Sequence, residues 1–420
     1  MSSPSPFGDG NIFGEWMKMF ANAGPMHAEL ARHAALAVAS GGQAEINVDP
    51  VERIRLEELA RVAELNIADF TGVDTSVSGR GVTVRSVTRG EWALATLKAW
   101  GPLLESVAQS LSGADAKPGE APGAESFGSL FGTLGPSGAK GSDVEAGHGQ
   151  EFDWGSGLAG LLGQAAQAVG PALIGMQFGS AVGDMARRCL GQYEVLVPRP
   201  ASDEILVVAE NITSFAEDWS LPPDDVRLWI ALHEMTVHIL LSRQPVRDRL
   251  NELLAGYAGG FVSDGSSIEE RLTGFDPGDP EGLQATLSDP SLLLGELLSP
   301  TQVLLGSQLR AITAAIYGWV DFVVESVGRK LIVSYDSLSE ALSRRRAERG
   351  EGVKFAECVF GLDMSQAHYD RGTKFIAGIV ERAGEEALPG LWSDARHLPT
   401  PAEVDAPGLW LERISIPDGE

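Results

Sequence analysis

The residues most suited to chemistry lie in one apolar stretch, "LHEMTVHIL", at 232–240. Two histidines four apart on a helix can hold one zinc ion, and a glutamate beside the first can take a proton from zinc-bound water. His233 and Glu234 match the start of that H-E-x-x-H pattern, but its fifth position is Val237, and the next histidine is His238. The stretch therefore indicates metal-dependent hydrolysis with one ligand displaced or missing.

Helix geometry separates the two histidines. Residues five apart on an α-helix are rotated by about 500°, so His233 and His238 diverge by roughly 140° and do not chelate one ion. A π-bulge would bring them onto one face, and such bulges occur at functional sites. The alternative is a core histidine that is hydrogen-bonded to a carboxylate without any metal. These residues alone leave both interpretations open.

The elements that would position these side chains are predicted to be helical. The helix that carries His233 is predicted to begin with Ser220 as its N-cap and to end before Pro245. Two prolines and two aspartates in its first turn favour that start. Residues from Asn211 to about Arg382 are predicted to be mainly helical.

Two β-rich segments interrupt the predicted helices. Residues 77–89 alternate and are rich in β-branched side chains, which predicts a short strand. A helix is predicted to follow it, with Thr88 as N-cap and Glu91 three residues on. Residues 192–212 contain two β-rich runs separated by proline and Ser-Asp, which predicts a small hairpin. The expected fold class is therefore mainly α with a small β element.

Composition divides the chain into four regions. We expect an N-terminal helical region at 1–111 and a helical core at 153–388. Residues 112–152 are rich in Gly, Ser, Pro and acid with few large apolar side chains, which predicts a mobile linker. Residues 389–420 are punctuated by proline, and we expect an extended C-terminal tail.

Charge and cysteine usage narrow the possible partners. The 420 residues carry a net charge of -26, which would repel a phosphate backbone, so nucleic acid is not expected as a partner. Cys189 and Cys358 do not form a C-x-x-C pair, so neither a zinc ribbon nor a redox motif is predicted. The first residues lack a basic segment followed by an apolar one, and we expect a cytoplasmic protein.

An uncharged segment at 155–183 is long enough to cross a bilayer. Glutamines and a proline interrupt it, and Gly175, Gly179 and Gly183 recur at every fourth residue. This spacing is typical of a helix face that another backbone approaches closely, in lipid or in a soluble core. The apolar density is low for a span, so we expect buried helices and no stable membrane span.

Several ordered runs carry a resemblance to a known family. They lie along nearly the whole chain, at 88–108, 175–198, 211–234, 317–324, 342–350, 360–375 and 398–414. In these runs the chain resembles an actinobacterial family of zincin-like proteins of uncharacterised function, regarded as zinc-dependent hydrolases or metalloproteases. The resemblance implies a zincin-like, metalloprotease-type fold.

The resemblance also implies which ligands the chain lacks. The family pattern has its second histidine where this chain has Val237, and a glutamate of an E-G-(W/H)-V-D run where this chain has Tyr317. His233, Glu234 and Asp321 of the pattern remain. Two of three ligands are therefore replaced, and His238 is an ordinary neighbour. We expect His233, Glu234, Tyr317 and Asp321 to form a hydrogen-bonded cluster where the metal would sit.

Three functions follow from the resemblance. The first is a degenerate zincin-like protein that lacks zinc, any other cofactor and peptidase activity, and that binds or scaffolds a protein or peptide. The second is an active zinc-dependent hydrolase with Glu234 as general base and His233 as a ligand. In that case Asp363 and His368 could join His233 and His238 in a new site. The third is a purely structural role in which the cleft is filled.

Overall fold

The computed structural model describes residues 26–45, 47–73, 75–76, 79, 81–111, 171–172, 174–261 and 298–416. The predicted linker at 112–152 lies outside the described residues, as does most of the uncharged segment.

Helices make up most of the described chain. Its first half contains α1 (Ala28–Ser40), α2 (Pro50–Thr71), β1 (Thr83–Val87), α3 (Arg89–Leu111), α4 (174–186), β2 (Glu204–Val208), α5 (Ala209–Asp218), α6 (Pro223–Ser242) and α7 (Gln244–Ala258). Its second half contains α8 (Pro300–Leu331), α9 (Tyr335–Ala347), α10 (Glu351–Phe360), α11 (Gln366–Ala383), α12 (Pro401–Asp405) and α13 (Pro407–Ser415). The prediction of a mainly α fold with a small β element is confirmed.

The small sheet pairs two distant segments in parallel. Thr83 lies opposite Glu204, and the register continues to Val87 opposite Val208. The predicted hairpin within residues 192–212 is therefore wrong. Its first run forms no strand, and only Gly191 bridges back to β2. Prolines after that run favour irregular backbone, and α3 and α4 lie within the long connection that parallel pairing requires.

The sequence correctly predicted the start of α3 and the end of α6. Thr88 and Glu91 form the predicted reciprocal cap: the Glu91 backbone N–H donates to Thr88 Oγ1 and the Thr88 N–H donates to Glu91 Oε2. The helix of the motif, α6, ends at Ser242 as expected. Its predicted N-cap is wrong, because Ser220 has a φ of 52° and the helix begins at Pro223.

The glycines of α4 do bring two backbones together. A Cβ at Gly175, Gly179 or Gly183 would overlap backbone carbonyls in or just before α1. The predicted close approach is confirmed. A different helix, α8, is long and apolar enough to cross a membrane by length and composition, but 78% of its most apolar window is buried inside the molecule.

The C-terminal segment is folded, contrary to the expected extended tail. Short 3-10 turns at Glu385–Trp392 and Ala395–His397 precede α12 and α13. Trp410 of α13 is fully buried, its ring meets Phe375 of α11, and its indole N–H donates to the His397 carbonyl. Two of the prolines that suggested extension, Pro401 and Pro407, instead occupy first helical positions, where a missing N–H costs nothing. The other region boundaries stay predictions.

Helices α6, α8 and α11 position the candidate site. Helix α6 is buried along most of its length and packs against α2, α7 and α8. Helix α8 crosses α11 at close range, because Gly318 and Gly372 meet at the crossing and a Cβ on Gly318 would overlap the Gly372 carbonyl. The two helices that carry Val237 and Tyr317 are therefore neighbours in one core.

Candidate functional site

The motif helix has no π-bulge that would gather the two histidines. Residues Pro223–Ser242 are α-helical throughout. His233 stacks on Trp229, with ring centroids 5.0 Å apart and planes 18° apart. His238 contacts a different set of side chains, so the two imidazoles do not share a face. The interpretation of a bulged histidine pair is wrong.

Both carboxylate oxygens of Glu234 are held by the protein. Oε2 accepts the Tyr193 backbone N–H at 2.9 Å, and Oε1 lies 3.3 Å from His233 Nδ1. Gly191 lies so close that a Cβ there would overlap the carboxylate. Glu234 is buried under this segment. Its charge attracts the buried guanidinium of Arg199 and opposes the lowering of the Arg199 pKa by burial. The glutamate therefore anchors the backbone that crosses α6.

His238 belongs to the same arrangement as Glu234. The two residues are four apart, so they share a helix face. The Tyr193 hydroxyl lies 2.7 Å from His238 Nδ1, and Ser242 Oγ lies 3.4 Å from its Nε2. Burial lowers the pKa of His238 below its ordinary value. Tyr193 thus bonds Glu234 through its backbone and His238 through its side chain.

Val237 places no donor beside His233. It lies one turn after His233 on the same side of α6 and is fully buried. Its isopropyl group fills the position at which the resemblance expects an imidazole. Of the two histidines that the resemblance expects on this helix, only His233 is present.

Tyr317 lies in an aromatic cluster with Tyr369 and His368. Its ring is 4.0 Å from the ring of Tyr369, and His368 meets it edge-on at 6.0 Å. Burial raises its pKa well above the ordinary value, and the neighbouring Tyr369 hydroxyl raises it further. Within the described residues no hydrogen bond joins Tyr317 to the motif helix. The expected four-residue cluster is not formed.

Asp321 is neutralised by an arginine. Arg346 donates to its two carboxylate oxygens at 3.2 and 3.4 Å. The same guanidinium lies 4.0 Å from the centre of the Tyr369 ring, a cation–π contact. Asp321 therefore holds Arg346 over the Tyr369 ring.

The alternative ligands Asp363 and His368 meet each other but neither motif histidine. Asp363 Oδ2 lies 4.0 Å from His368 Nδ1, and Thr313 Oγ1 lies 3.1 Å from His368 Nε2. Burial lowers the pKa of His368 to about 4. Nε2 is held by Thr313, and Nδ1 faces Asp363 beyond hydrogen-bond distance. His368 therefore supports the aromatic cluster, and the four-residue replacement site is not assembled.

Residues that sequence reasoning missed connect these groups. Tyr193 and Gly191 cover Glu234, and Glu194 beside them pairs with Arg345 at 2.9 Å. Arg345 is followed by Arg346, which pairs with Asp321, so adjacent arginines of α9 contact the segment that covers α6 and the helix α8. Residues 191–194 and Arg345 both lie in runs on which the resemblance rests. Their local residue spacing does not indicate a contact with a residue 41 or more positions away along the chain.

The donor set does not fit the zinc that the resemblance implies. Where the resemblance implies the second histidine there is an apolar valine, and where it implies the glutamate there is a tyrosine that packs on Tyr369. In the part of the chain that the structure describes, no group of three or more His, Cys, Asp or Glu side chains is placed to hold a metal ion. His233 alone would bind zinc weakly, since zinc sites use three or four protein ligands.

Comparison with known proteins places this geometry in a family context. A sequence model described as "Zincin-like metallopeptidase" matches residues 27–411. The structure is similar to that of a "putative hydrolase with a novel fold" from Chloroflexus aurantiacus, with a TM-score of 0.60 and 20% sequence identity. The match covers 94% of this chain and 100% of the other, and at this identity it shows a shared fold. No curated protein matches the chain.

Proposed function

Because this chain belongs to the zincin-like metallopeptidase family, we propose that it is a member whose zinc site has been replaced by packed side chains. In this proposal it acts by binding or scaffolding a protein or peptide and does not hydrolyse one.

The proposal rests on the contacts of Glu234, because both of its carboxylate oxygens already have partners. A general base must reach the water that it deprotonates, within hydrogen-bond distance. One oxygen of Glu234 accepts the Tyr193 backbone N–H and the other faces His233. Moving the carboxylate toward a substrate would leave a buried N–H without its acceptor, which costs about 1–3 kcal/mol. Glu234 is thus suited to hold structure together.

The replaced ligand positions support the same conclusion. Val237 and Tyr317 are both buried, and each lies among contacts that suit its own side chain. Valine packs in an apolar core, and Tyr317 pairs with a second tyrosine. A zinc ion would have to enter a region already filled by these side chains.

Metal content and peptidase activity test the proposal. Purified protein dialysed against a weak chelator should retain far less than one zinc per chain. It should cleave a peptide library no faster than its Glu234→Gln variant. Stoichiometric zinc, with activity that Glu234→Gln abolishes, would instead establish the active hydrolase with Glu234 as base and His233 as ligand.

A single substitution tests whether the site is degenerate. Val237→His restores the spacing of two imidazoles on one face and should raise zinc affinity measurably. Leu232→His is the matched control, since it adds a buried histidine to the same helix without facing His233 or His238. Equal zinc affinity in both variants, with both folded by circular dichroism, would count against a former metal site here.

A further inference from the structure

We draw no further inference here: the strongest candidate, the open groove between the first turns of α7 and the turn at residues 393–395, carries nothing, because the carboxylates on its wall, Asp248, Glu252 and Asp394, are each already paired with an arginine of their own chain and nothing in the structure shows what would fill it.

Discussion

Protonation of His368 should lower the free energy of unfolding below neutral pH. Its imidazole is buried against Tyr317, with Thr313 Oγ1 3.1 Å from Nε2. The Thr313 hydroxyl donates to the Leu309 carbonyl, so neutral His368 can donate through Nε2–H to the threonine oxygen. Adding a proton at Nδ1 would bury a positive charge. Burial therefore keeps the ring neutral.

The size of the effect follows from the pKa of His368. Burial lowers it from 6.5 to about 4, and although Asp363 acts in the opposite direction, Arg371 and Arg310 act to lower it further. A difference of this size corresponds to about 3 kcal/mol. The sign is fixed by linkage: below pH 6.5 the unfolded chain binds the proton and the folded chain does not. Stability is thus full above about pH 6.5 and falls as the pH drops toward 4.

Urea unfolding at several pH values between 7.5 and 4 measures this loss. His368→Gln is the comparison, because its amide N–H can still donate to Thr313 and it carries no titrating proton. The variant should be less stable than wild type at pH 7.5, and the gap should close by about 3 kcal/mol as the pH reaches 4. His33→Gln, at an exposed site on α1, controls for removal of a histidine.

Two results would refute this reasoning. The first is a stability difference between wild type and His368→Gln that does not change between pH 7.5 and 4. The second is a His368 ring resonance that titrates near 6.5 by NMR, which would mean that burial does not disfavour its charged form.

The remaining predictions concern the packing around the same cluster. Gly318→Ala should lower the free energy of unfolding by about 2–4 kcal/mol in urea melts, because its Cβ would overlap the Gly372 carbonyl. Gly101→Ala, with open space around it in α3, should instead be neutral or stabilising by up to about 1 kcal/mol; equal losses would contradict the crossing. Arg346→Met should cost about 3 kcal/mol, because it leaves Asp321 without its partner. Adding Asp321→Asn should recover much of this loss in thermal melts, and no recovery would show that the pair is not the cause.

Several elements could be predicted from the sequence because their causes are local. The cap of α3 depends on Thr88 and Glu91, three residues apart, and the end of α6 on a proline just beyond it. The close approach of α4 to α1 depends on glycines at every fourth residue. The C-terminal segment, which was wrongly expected to be extended, also has a local signal: Glu403 accepts the Thr400 backbone N–H around a first-turn proline.

The sequence by itself determined that His233 and His238 diverge, because a regular α-helix fixes the angle between residues five apart. It also determined that Val237 supplies no donor to a metal. Only the tertiary structure decided where the remaining polar groups point. Tyr193 reaches Glu234 across 41 residues, and Tyr317 turns to Tyr369 across 52. Such pairings depend on how helices pack against one another, and side-chain spacing along one helix does not specify which distant backbone will cover it.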